Sequence, residues 1–282
     1  GSSEEMLNNL KDSGNFSMYL HHHRAEFFYA VGEYEKAQEY AQKSVDMCIT
    51  WGITENYEAH FVKLLSEIQL NGNLDFERDS AFLDKVFTEN LYKLGRIACV
   101  KLAEIYISRG MQERGAELLN KGLNYVSKID TDMLRLRYEY AGALVKEGPE
   151  RLDSLTNLAG YIETAENNEL GWKMYKAIAS EFIERKDYRE ALKCLITSLS
   201  YLRRLVHNVP DECKIRFINS HDRNTVKESL IRAAEILTSG RPGSANIRKT
   251  VMGRRLAGKR KESLNLHEID KYFDYTEYRN IY

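Results

Sequence analysis

Proline is scarce in this chain, at three residues in 282, so helices can run long without interruption. Cysteine is scarce too. Cys48, Cys99, Cys194 and Cys213 lie far apart and include no C-x-x-C, so they read as reduced, mostly packed thiols of a cytoplasmic protein. No apolar run approaches the roughly 18 residues of a membrane span, and no secretory signal is visible. Charge of one sign is missing as well. The formal net charge is −1, so nucleic acid is not an expected partner of the whole molecule, and anion binding would need a local patch. Catalytic motifs are absent in the same way. There is no G-x-S-x-G, no H-E-x-x-H, and no G-x-G-x-x-G between a strand and a helix. Acidic pairs such as Glu4-Glu5 and Glu166/Glu169 read as solvated faces. The chain is expected not to be an enzyme and to need no cofactor.

What the chain does have is a repeat. Ala25, Leu65, Ala103, Ala141 and Ala179 each open the same skeleton, at steps of 40, 38, 38 and 38 residues. An apolar residue stands three on, and often a glycine seven on. Ala25, Phe28, Gly32, Ala37, Ala41 and Ser44 stand at offsets 0, 3, 7, 12, 16 and 19; Ala179, Phe182, Lys186, Ala191, Leu195 and Ser198 repeat them. The third unit has Ala103, Tyr106, Gly110, Gly115, Leu119 and Gly122. Its first helix, RIACVKLAEIYIS, carries Ile97, Val100, Ala103 and Tyr106/Ile107 as one apolar stripe. Gly110 is expected to end that helix in the left-handed region. Tyr34 and Tyr188 are equivalent turn aromatics, expected to plug the gap between the two helices of a hairpin. Pro149 fits the first turn of the fourth unit's second helix.

A period near forty predicts stacked helical hairpins with no single globular core. The predicted fold is all-α, a right-handed superhelical solenoid of about five hairpins near 16–50, 56–94, 96–130, 132–168 and 170–205, together spanning 4–205. Asn208-Val209-Pro210 breaks the last long helix. Capping helices are expected over 206–239, with Ser220 or Asp222 capping the second. A basic linker is expected over 240–263, then a tail over 264–282 with the apolar and aromatic character of a docking helix. Residues 1–3 read as a cloning scar.

These offsets, with the G-x-Y-x-x-A turn, resemble the tetratricopeptide repeat over about 16–202. The longer period and the missing terminal proline resemble the long repeats of sensor regions in bacterial signalling proteins of the maltose-regulon-activator kind. The segment NVPDECKIRFINSHDRNTVKESL (208–230) resembles the stretch after the last repeat in such proteins. The resemblance implies a cytoplasmic, non-catalytic module that binds a protein or peptide segment and regulates an attached module. Homodimerisation and small-ligand sensing are the alternatives.

The resemblance also implies that the first helix of each hairpin lines a concave groove. On that reading the partner-facing residues are Tyr19, His22, Glu26 and Tyr29, then Ser66 and Gln69, Glu104 and Ser108, Arg135, Tyr138 and Lys146, and Lys173, Lys176, Ser180 and Glu184. The groove is expected to be basic towards its C-terminal half, which suits a partner with an acidic end. The Lys/Asn carboxylate clamp of some family members is incomplete, because Ser180 stands one turn after Lys176.

Three other clusters weigh less. Within His21-His22-His23, consecutive helical residues point about 100° apart, and too few partners are in sequence reach for structural zinc; the triplet reads as polar surface and no metal is expected. Gly243 to Thr250 nearly spells a phosphate loop, but Arg248 stands where its second glycine must be. The basic run Arg248, Lys249, Arg254, Arg255, Lys259, Arg260 and Lys261 is a candidate anion site, though it lacks interleaved aromatics.

Overall fold

The computed structural model describes residues 14–51, 55–125, 131–165 and 167–239, all helix and turn with no strand among them. The chain divides into two compact units, Gly1–Asp130 and Thr131–Tyr282.

In the first unit the helices are α1 (Gly14–Val31), α2 (Tyr34–Trp51), α3 (Tyr57–Asn71), α4 (Phe76–Thr88), α5 (Tyr92–Ser108) and α6 (Gln112–Leu123). Helix α1 packs on both α2 and α3, α2 on α3, α4 on α5, and α5 on α6. Helices α3 and α4 meet through long side chains: the Phe61 and Phe82 rings stack 5.9 Å apart, and Arg78 pairs with Glu67 at 3.6 Å. In the second unit the helices are α7 (Asp132–Val145), α8 (Gly148–Thr164), α9 (Asn168–Glu184), α10 (Tyr188–His207), α11 (Lys214–Asn219) and α12 (Arg223–Thr238), with a 3-10 turn at Asp211–Cys213 before α11. Helix α9 packs on α7, α8 and α10, and α12 lies on α10. Leu192, Leu195, Leu199 and Leu202 of α10 share one core with Trp172 of α9 and Val226, Leu230 and Ala233 of α12.

The sequence dictates where these helices start. Side-chain oxygens of Asn56, Asp75, Thr131, Asn167 and Asp187 accept from backbone N–H groups three residues on, at 3.0, 3.1, 3.4, 3.0 and 3.3 Å. Each bond satisfies a donor that the first turn leaves open. Pro149 sits in the first turn of α8, where a missing N–H costs nothing. The cap expected from Ser220 or Asp222 is different. Neither side chain caps α12; Asp222 has a left-handed backbone and Ser220 donates to the Phe217 carbonyl instead.

The turns obey the repeat. All five residues at offset 7 have positive φ: 84° at Gly32, 69° at Gly72, 79° at Gly110, 54° at Gly148 and 61° at Lys186. A left-handed residue reverses the chain after a helix, and lysine meets the same demand in the fifth unit despite its Cβ. The small positions obey it too. Ala25, Ala37, Ala41 and Ser44 are fully buried, and so are Ala179, Ala191 and Ser198, with Leu195 at 1%. Gly171 permits a close approach. A Cβ there would lie 2.7 Å from the Tyr201 ring, which rests on the α9 backbone.

Candidate functional site

Helix α1 carries the first candidate face. Tyr19 is exposed and Glu26 reaches solvent, whereas Tyr29 is half-buried against Tyr34, ring to ring at 5.7 Å. His22 is not groove surface; it is 3% exposed. Its place in the repeat explains why. His22 stands three residues before Ala25; the matching Val62, Val100 and Tyr138 are buried as well, and the fifth counterpart, Lys176, is half-buried. On a helix of 3.6 residues per turn that position shares the face of the core alanine. It is therefore covered by neighbouring helices. The groove expectation is wrong for His22 and Tyr138 alike. Ser66 is also buried, and its hydroxyl turns back to the Val62 carbonyl. Gln69 and Glu104 are half-buried, and Ser108 is exposed, bonding the Ile105 carbonyl.

The histidine triplet is more than a polar surface. His22 Nε2 lies 3.6 Å from Glu26 Oε2 and 3.5 Å from Oε2 of Glu58, which comes from α3. His23 Nδ1 lies 3.1 Å from the same Glu26 oxygen. The ligand atoms of His22, His23 and Glu26 all fall within 4.8 Å of one another. Adjacent helical residues do diverge at Cβ, but the exposed His23 ring folds back towards Glu26 one turn on. Burial holds the His22 imidazole below its ordinary pKa, against the opposing pull of Glu26 and Glu58, so it favours the neutral form. Glu58 had no local signal in the sequence. It lies 32 residues beyond Glu26 and reaches the site only because α3 packs on α1.

The second unit carries the basic residues, and most are neutralised. Arg135 is exposed but pairs with Asp132 at 3.5 Å and Glu139 at 3.7 Å. Lys146 turns to α8, meeting Glu150 at 2.9 Å and Ser154 at 3.1 Å. Lys173 pairs with Glu169 at 3.8 Å. Lys176 differs: among the described residues it has no ion pair. Its Nζ lies 6.0 Å over the Trp172 ring and 3.5 Å from the Asp222 carbonyl. Burial lowers its pKa, with Asp222 opposing. Ser180 is exposed and donates to the Lys176 carbonyl at 3.1 Å, and Glu184 is exposed one turn further. Of the expected basic half-groove, Lys176 is the one named residue without an ion pair among the described residues. The second basic candidate, Arg248 to Lys261, lies outside the described residues, as do the loop at 243–250 and the tail at 264–282.

The four cysteines are free thiols; Cys48, Cys99 and Cys213 are buried and Cys194 is half-buried. No helix among the described residues is long and apolar enough to cross a membrane. No family model, curated protein or solved structure matches the chain.

Proposed function

We propose that this chain is a non-catalytic binding module, a superhelical array of tetratricopeptide-like hairpins that takes up a protein or peptide segment. The reading is carried by one observation, the recurrence of a left-handed residue at offset 7 in all five sequence units. Hairpins built on one template present the same helix face repeatedly, and such faces serve as extended recognition surfaces. The open residues Tyr19, Glu26, Arg135 and Ser180 all lie on first helices of the hairpins. Lys176, which has no ion pair among the described residues, favours a partner with a carboxylate, because a desolvated ammonium gains most from an opposite charge. Within a larger cytoplasmic bacterial signalling protein the module would act as a sensor or regulatory region, passing occupancy on through small changes at each hairpin joint.

The test is direct binding of labelled peptides that end in acidic residues, measured by fluorescence anisotropy. The wild type should bind an acidic peptide better than its amidated, neutral counterpart, and Lys176→Glu should abolish the preference. Equal binding of both peptides would remove the acidic-partner reading. Light scattering at several concentrations separates receptor from scaffold, since a dimerisation scaffold would associate without any peptide.

A further inference from the structure

We propose that His22, His23 and Glu26 of α1, completed by Glu58 of α3, form a binding site for one divalent transition-metal ion of the zinc class. Two imidazole nitrogens and two carboxylate oxygens are a donor set that suits such an ion. Part of the spacing fits as well. Nitrogen and oxygen ligands sit about 2.0–2.2 Å from zinc, so neighbouring ligand atoms of a tetrahedron lie about 3.3–3.6 Å apart. Three of the six edges are 3.1, 3.5 and 3.6 Å between named atoms; Glu58 meets His22 but stands outside the group of His22, His23 and Glu26 whose ligand atoms lie within 4.8 Å of one another, so its side chain must swing in to complete the set.

Hydrogen bonding alone accounts poorly for the same geometry. The Nε2 of His22 can offer one N–H at most, yet it faces two carboxylate oxygens, each beyond normal hydrogen-bond length. The ring is buried, and its Nδ1 has no hydrogen-bond partner, so nothing else satisfies it. A single cation between Nε2 and both carboxylates would satisfy the nitrogen and offset the acidic charge together. The helix supplies the rest of the arrangement. Residues at i, i+3 and i+4 share a face, and Glu26 stands in those relations to His23 and His22. With Glu58 the ion would tie the first hairpin to the second. The missing outer bond at His22 Nδ1 weakens such a site, since outer partners are worth about 10–100-fold in affinity.

The site shares Glu26 with the proposed recognition face and is tested without any peptide. Zn2+ is titrated into the metal-free full chain by calorimetry, and Co2+ is used as an absorption probe of four-coordination. One ion per chain is expected, with the strong visible band of tetrahedral cobalt. His23→Ala and Glu26→Gln alter exposed side chains, so circular dichroism should be unchanged while affinity falls at least about tenfold. Glu58→Gln should weaken binding similarly and remove the rise in melting temperature that zinc gives the wild type. Absence of stoichiometric binding, or binding undiminished in His23→Ala and Glu26→Gln, would overturn the site. Undiminished binding and an unchanged zinc effect on melting in Glu58→Gln would overturn the link between hairpins.

Discussion

The Ser198 hydroxyl donates to the Trp172 carbonyl at 2.7 Å, locking α10 onto α9 at a point where neither residue meets solvent. The same joint exists in the first hairpin, where Ser44 donates to the Met18 carbonyl at 3.0 Å, also across 26 residues. Small side chains at offset 19 bring the two backbones close enough for one hydroxyl to bridge them. Ser198→Ala should cost about 1 kcal/mol in urea unfolding monitored by Trp172 fluorescence. Ser44→Ala should cost somewhat more, because the Ser44 hydroxyl also accepts from Asn56 Nδ2 at 3.2 Å. Equal stability of wild type and both variants would show that the bridging hydroxyls are idle.

Lys186 holds a left-handed backbone with φ 61° where the other four units use glycine. The conformation costs a residue with a Cβ roughly 1–2 kcal/mol. Lys186→Gly returns part of this, offset by the added freedom of glycine in the unfolded chain, for a net gain of about 0.5–1 kcal/mol. Gly110→Ala should lose about 1 kcal/mol, although nothing lies within 4 Å of the position its Cβ would take. Thermal melting of the two variants should therefore move in opposite directions. A loss in Lys186→Gly would mean that the lysine side chain stabilises more than its backbone costs.

Gly171→Ala tests close approach. The new methyl would meet the root of the Tyr201 ring at 2.7 to 2.8 Å, and a buried ring fixed at its root cannot swing clear cheaply. Overpacking of this kind costs about 1–3 kcal/mol. Tyr201→Ala alone loses core packing, but in the double variant the clash is gone. The two changes should be non-additive by at least about 0.5 kcal/mol in a double-mutant cycle. Strict additivity would mean that the backbone shifts to admit the methyl.

Much of the hairpin framework was legible because local chemistry writes it. Gly32, Gly72, Gly110 and Gly148 mark turns by glycine's ease in the left-handed region, and Asn56, Asp75, Asn167 and Asp187 mark helix starts by their side-chain oxygens. Lys186 is placed by repeat phase alone, and its backbone obeys the phase against its own preference. The candidate site was less legible because it depends on which helix covers which. His22 reads as polar surface until α3 is packed on α1, and Tyr138 reads as groove until its neighbours bury it. The basic charge of Arg135, Lys146 and Lys173 was visible, but their carboxylate partners are fixed by side-chain placement. Glu58 could not be joined to the histidines by any spacing rule, since the contact from His22 across 36 residues is decided by hairpin stacking.

Alkaline pH should unfold this protein earlier than its composition suggests. Burial pushes the Cys99 thiol up from an ordinary 9.0 to about 12, and burial likewise pushes Cys194 up to about 12. Between those values the unfolded chain has lost these protons and the native chain still holds them. The unfolded state then binds fewer protons, so stability present below pH 9.0 is lost as pH rises through the window. Each thiol contributes a slope approaching about 1.4 kcal/mol per pH unit. Burial raises the Tyr106 and Tyr175 hydroxyls as well, which steepens the loss once free tyrosine begins to ionise. Urea midpoints at pH 8, 9 and 10 measure the slope, and Cys99→Ala should flatten it for the first unit even though the lost sulfur lowers stability at every pH. A flat wild-type profile would mean that these thiols ionise freely in the folded chain and are open to water.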